Sequence, residues 1–262
     1  MVLKLIYTTF IVSRPNYPML MRLFLILLML LTAELRAQSL TIGIVAYDPP
    51  FSMNADKNHF FGFDIELMSE LCKQISVQCH FEPMLFDALF TDINEGKIDL
   101  AIAAITITNE RQQKFLFSLP YLASEARFVT TKNSLIKTLK KLNNKTIGII
   151  KGSLFKQLIT QKFKTNLIKE YPSTNQLITA LNQQEVDALL MDDFSADYWI
   201  ANNNTLFKGI GRPFSVGIGY GIMAKINSIV LMNQINQALK HLEKNGVYLS
   251  LYQKYFHNIP MH

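Results

Sequence analysis

What this sequence lacks narrows it first. No run of about 20 apolar residues, the length a membrane-spanning helix needs, occurs anywhere in its 262 residues. No repeat of fixed period appears, which excludes solenoids and propellers. Charged residues make up only 18% and hydrophobic ones 49%, a globular balance that excludes a disordered chain. No Lys/Arg cluster is interleaved with aromatics, so the formal charge of +6 is no nucleic-acid footprint. Cysteine is nearly absent: Cys72 and Cys79 are the pair. The five histidines, His59, His80, His241, His257 and His262, form no ligand-spaced set with each other or with both cysteines, so neither a metal nor a cofactor is expected.

What is present begins with export. Leu23 to Leu31 is a run of nine apolar residues after Arg22 and before Thr32, Ala33 and Ala37, the layout of a secretory signal. Residues 1–37 are read as that signal, cut after Ala37, with Ala33 as a second cleavage position and Met19 or Met21 as alternative starts. Removing this segment leaves 22 Lys/Arg against 19 Asp/Glu, a net +3 carried by a solvated surface. In an oxidising compartment Cys72 and Cys79 can pair; the alternative is two buried thiols.

Periodicity then alternates. Residues 40–46 read as a strand, 62–75 as a helix, 79–82 as a strand, 86–94 as a helix and 98–103 as a buried strand. A second set follows: strand 146–150, helix 152–163, strand 167–171, helix 173–184 capped by Ser173, and strand 186–191. Alternation of this kind predicts a parallel, helix-covered sheet in each half. Extended segments at 127–131 and 213–224 provide two crossings between halves. A tail at 226–256 returns to helix.

Candidate chemistry lies at strand ends, where open α/β sheets bind ligands. After strand 98–103, Thr108 is positioned to cap a short helix that carries Arg111. A guanidinium there can grip a carboxylate, with the Thr106 hydroxyl as helper. After the last strand of the second set comes Asp192, a carboxylate for an ammonium group. Phe86 and Phe51 can wall a cleft. The plainer readings are a surface Arg, a helix N-cap at Asp192 and ordinary core phenylalanines.

These segments, namely Pro50-Phe51, Gly62-Phe63-Asp64-Ile65-Glu66-Leu67, Cys72 with Cys79, Phe86-Asp87-Ala88-Leu89, Lys97-Ile98-Asp99, residues 106–111, Gly152-Ser153, Val186-Asp187-Ala188 and Gly246, together resemble the polar amino-acid solute-binding proteins of ABC importers. The likeness is to the lysine/arginine/ornithine- and histidine-binding members and spans nearly the whole exported chain. It implies an α/β protein of the type II periplasmic binding class, with two Rossmann-like lobes joined by hinge strands near 123–127 and 215–219. The first lobe would comprise 38–124 and 217–262, and the second 125–216. It also implies a non-enzymatic, monomeric receptor in the periplasm of a Gram-negative bacterium, with a free amino acid and an inner-membrane permease as partners.

Carried over by that resemblance, Arg111 is the carboxylate clamp, Thr106 its hydroxyl partner, Asp192 the amino-group anchor and Phe86 a stacking wall. Ile150 and Ser153 match second-lobe ligand positions. Ala103 and Ala104 replace a serine-rich stretch beside the ligand. Val45 stands where binders of basic side chains keep an acid. Asp48 occupies the aromatic lid position and is expected to replace that acid, favouring arginine, lysine or ornithine; its plain alternative is a turn acid before Pro49-Pro50. Rival classes on one fold are a cyclohexadienyl dehydratase-like enzyme, with Glu82, Glu125, Asp48 or Asp193 as acid or base, and a sensory or adhesive receptor.

Overall fold

The structure, a computed structural model, describes residues 39–56, 59–163 and 167–256. The segment read as a signal lies outside the described residues. Among the described residues no helix is long and apolar enough to cross a membrane.

The first half opens with β1 (Ser39–Val45), a two-stranded ribbon of β2 (Met53–Asn54) and β3 (Phe60–Phe61), and α1 (Phe63–Gln74). It continues through β4 (Gln78–Met84), α2 (Phe86–Glu95), β5 (Leu100–Ala101), the short α3 (Asn109–Gln112) and β6 (Phe115–Phe117). The chain then crosses into β7 (Glu125–Thr131), a 3-10 turn at Leu139–Leu142, β8 (Thr146–Ile150), α4 (Phe155–Lys162), β9 (Leu167–Tyr171) and α5 (Thr174–Asn182). After β10 (Ala188–Asp192), α6 (Asp193–Asn202) and β11 (Phe207–Ser215), it returns to β12 (Met223–Lys225), α7 (Ile229–Lys244) and α8 (Val247–Phe256).

Two five-stranded sheets result, ordered β4-β1-β5-β12-β6 and β11-β7-β10-β8-β9. β1 pairs in parallel with β4 and β5, and β8 pairs in parallel with β9 and β10. The sheets are mixed rather than purely parallel. β12, arriving on the return crossing, runs antiparallel to β5 and β6, and β7, arriving on the outward crossing, runs antiparallel to β10 and β11. A strand supplied from the other half enters from the opposite end, which reverses its direction.

Each sheet is covered on both faces. On one face of the first, Ile42 and Ile44 of β1 pack with Leu67 and Leu71 of α1 and with Met232, Ile235 and Leu239 of α7. On the other, Leu89 and Ile93 of α2 pack with Ile105 and Phe117. Burying each such side chain contributes about 1.5 to 3 kcal/mol. The second sheet is sandwiched likewise, with Ile147, Ile149 and Phe155 on one face and Leu177, Leu181 and Leu189 on the other. The helical tail read as one element is two, because Gly246 adopts φ +83 between α7 and α8, a left-handed conformation suited to glycine.

Cys72 and Cys79 are joined in a disulfide, with their Cα atoms 6.2 Å apart, linking the last turn of α1 to β4. The crossings lie side by side: Val216 N–H donates to Ser124 C=O at 3.0 Å, the Ser124 hydroxyl donates to the Val216 carbonyl, and Ser215 pairs with Glu125.

Candidate functional site

The C-terminal ends of the parallel strands in both sheets face one another, and the loops leaving them enclose a cavity of about 40 Å³. Val45 ends β1 and Asp48 follows it, Ala103 follows β5, and Phe86 opens α2. From the second sheet come Ile150 at the end of β8 and Ser153 after it, Ser173 and Thr174 after β9, and Met191 and Asp192 at the end of β10. Of the ligand positions expected from sequence, Asp48, Phe86, Ile150, Ser153 and Asp192 are therefore brought together. The Ser153 hydroxyl is buried without a hydrogen-bond partner among the described residues.

Asp48 belongs to the first sheet but is held by the second. Its Oδ1 accepts from the Ser195 hydroxyl at 3.1 Å and from the Thr174 hydroxyl at 3.4 Å. Its backbone is pinned by a tight turn in which Asp48 N–H donates to Ser52 C=O, while Phe51 and Ser52 N–H donate to Asp48 C=O. Burial pushes its carboxyl up to about 6, against the two hydroxyls, which pull it down. Asp192 is raised to about 7, mainly by burial and then by the negative charge of Asp48, whereas the Tyr220 hydroxyl and Arg111 act in the opposite sense. Tyr220 donates to Asp192 Oδ1 at 2.7 Å.

Arg111 does not line the cavity. Thr108 caps α3 as expected, its Oγ1 accepting from Arg111 N–H at 3.2 Å, and the side chain then turns into the seam between the halves. Its Nη1 donates to Thr106 C=O at 2.9 Å and its Nη2 to Gly152 C=O, in the second half, at 3.3 Å. The guanidinium carbon sits 4.8 Å from the Phe90 ring centre and 5.7 Å from that of Phe86, within cation–π range. Burial lowers its pKa to about 10, with Asp192 pulling the other way, so it stays charged at neutral pH. Arg111 and Asp192 thus sense each other's charge across the seam.

Besides Arg111, three further expected ligand residues lie outside the cavity. Phe51 is not a cleft wall: it is fully buried, with its ring 5.7 Å from Tyr220 and 6.1 Å from Phe194 and from Phe256. The turn that pins Asp48 also folds Phe51 inward. Thr106 is buried away from the cavity and serves Arg111 through its carbonyl, while its hydroxyl lies 3.5 Å from that of Ser124. Ala104, at φ +45, gives its N–H to Asp64 Oδ2 at 2.9 Å. Asp64 is fully buried and raised to about 7, first by desolvation.

Sequence reasoning missed Thr174, Ser195 and Tyr220. Thr174 and Ser195 carry a usable signal, because each lies within three residues of the end of a parallel strand. Tyr220 carries none, since only the return crossing brings it to Asp192.

The seam is closed outside the cavity as well. Lys151 Nζ lies 2.8 Å from Asp87 Oδ2 across it. Gly152, at φ +79, presses so close that a Cβ there would stand 2.8 Å from Asp87 Cβ and 3.0 Å from its Cα.

The arginine-binding periplasmic protein of Mannheimia haemolytica is 30% identical over 223 residues, covering 84% of this chain and 92% of that one. The lysine/arginine/ornithine-binding periplasmic protein of Escherichia coli K12 is 29% identical over 233 residues, covering 84% and 88%. A crystal structure of an arginine third transport system periplasmic binding protein from Legionella pneumophila superposes with a TM-score of 0.81 at 37% identity, over 84% of this chain and all of that one. The fold is that of the type II periplasmic binding proteins. Residues 40–258 match the family model of bacterial extracellular solute-binding proteins, family 3, and the chain belongs to that family.

Proposed function

We propose that this chain is the periplasmic receptor of an amino-acid ABC importer and that it binds a free basic amino acid, arginine foremost, without chemical turnover. The observation that carries the reading is the pair of acids, Asp48 from the first half and Asp192 from the second, lining one enclosed cavity with Arg111 beside it at the seam.

Charge counting supports the choice of ligand. Arg111 with two carboxylates leaves one negative charge uncompensated. Arginine, lysine and ornithine bring a carboxylate, an ammonium and a side-chain cation, which balance the set. A neutral amino acid would leave Asp48 buried without a counter-charge, at a cost of several kcal/mol unless it takes up a proton. In this reading Arg111 takes the ligand carboxylate, Asp192 the α-ammonium, Asp48 the side-chain cation, Phe86 its apolar stem, and Ser153 offers a hydroxyl. The names of the two relatives described above, which specify arginine or lysine, arginine and ornithine, support the same choice.

Binding would proceed by closure of a first lobe, 38–124 with 217–262, onto a second, 125–216, about the two crossings. A ligand that neutralises charges from both lobes favours the closed state by its differential affinity. The closed monomer would then dock on an inner-membrane permease. Isothermal titration against the twenty amino acids tests the reading. The basic ones should bind tightest, and Asp48→Ala should abolish their advantage; a wild type that prefers a neutral or acidic amino acid would overturn it.

A further inference from the structure

The acid proposed to read the ligand side chain is not free-standing. Asp48 and its two hydroxyl donors come from opposite halves of the molecule, separated by 126 residues for Thr174 and 147 for Ser195. Both donors are almost fully buried, Thr174 as the first residue of α5 and Ser195 in the first turn of α6, so their rotamers are fixed by packing. Both bonds fall on Oδ1, and no hydrogen bond is made by Oδ2 among the described residues. A carboxylate that accepts two donors on one oxygen is favoured in its ionised form, against the burial that opposes it, and presents its other oxygen in one direction. The positive ends of α5 and α6 add to the preference for an anion at this point.

We infer that Thr174 and Ser195 are specificity-determining residues, which hold Asp48 charged and aimed so that the closed cleft distinguishes a cationic side chain from a neutral one of the same shape. The inference rests on the basic-ligand reading and deepens it. Neither hydroxyl needs to touch the ligand. Each acts through Asp48, and only once the halves have met, so discrimination is assembled by closure itself rather than by the open first lobe.

The test uses arginine and citrulline, which differ in charge but hardly in shape. Both are titrated into the wild type, Ser195→Ala, Thr174→Val and the hydroxyl-retaining Thr174→Ser. The wild type should favour arginine strongly. The arginine-to-citrulline affinity ratio should fall about tenfold in Ser195→Ala and in Thr174→Val, as expected for losing a hydrogen bond to a charged group, and survive in Thr174→Ser. Because both ligands are measured on one variant, a general loss of stability or closure cancels in the ratio. A wild type that prefers arginine, together with hydroxyl-free variants that keep its ratio, overturns this inference alone. A wild type indifferent to the side-chain charge overturns the basic-ligand reading, and this inference with it.

Discussion

Tyr220 donates a 2.7 Å hydrogen bond to Asp192 Oδ1, tying the acid at the end of β10 to the crossing that returns to the first sheet. The bond opposes the desolvation that raises Asp192 and keeps one carboxylate oxygen oriented. Asp192→Asn should therefore weaken every amino acid alike, by about a hundredfold or more, because a buried ligand ammonium loses its counter-charge. Tyr220→Phe should do so more mildly, by about tenfold. Titration with arginine and glutamine checks this; a loss confined to arginine would assign Asp192 to the side chain instead.

Affinity should rise with pH. Asp48 stands at about 6 and Asp192 and Asp64 at about 7, all above their ordinary values; Arg111, Glu110 beside it, and the neutral Tyr121, Tyr220 and Tyr248 are among the charged and titratable groups around them. The ligand-free folded state thus binds more protons than the unfolded chain in this range. The stability this contributes is present at low pH and is lost as pH rises through about 6 to 7. A cationic ligand needs Asp48 and Asp192 ionised and expels those protons. Arginine affinity should therefore increase between about pH 5 and pH 8, by up to about a decade per unit for each proton released. Calorimetry in buffers of different ionisation enthalpy reads the release directly; affinity falling with pH would contradict it.

Gly152 sets how tightly the halves meet. Gly152→Ala would put a Cβ 2.8 Å from Asp87 Cβ and force φ +79 on a residue with a side chain, straining the seam and not the cores. Ligand affinity should drop at least about tenfold, a 1.4 kcal/mol loss of closure. Small-angle scattering should show less contraction on adding arginine than in the wild type. Full contraction with unchanged affinity would show that the seam yields.

The disulfide closes a short loop, Cys72 and Cys79 being 7 residues apart. Reduction should lower the unfolding free energy by about 2.5 kcal/mol on the chain-entropy account. Urea midpoints with and without reductant test it, and coincident curves would refute it.

Local sequence determined much of the fold. Strand–helix alternation, the caps at Thr108 and Ser173, and the signature segments around Gly62 and Arg111 follow from interactions within about one helical turn or from short continuous apolar runs buried on both faces. They placed Arg111, Asp192, Asp48, Phe86, Ile150 and Ser153 at strand ends or on adjoining turns. Tertiary structure decided the rest. Phe51 looks like Phe86 in sequence, yet a turn folds it into the aromatic core while Phe86 faces the cavity. The antiparallel entry of β12, the bond from Tyr220 to Asp192 and the grip of Thr174 and Ser195 on Asp48 all join residues far apart in the chain. No local pattern encodes such pairings, because the electrostatics of this cleft exist only where strand ends from two sheets are brought together and removed from water.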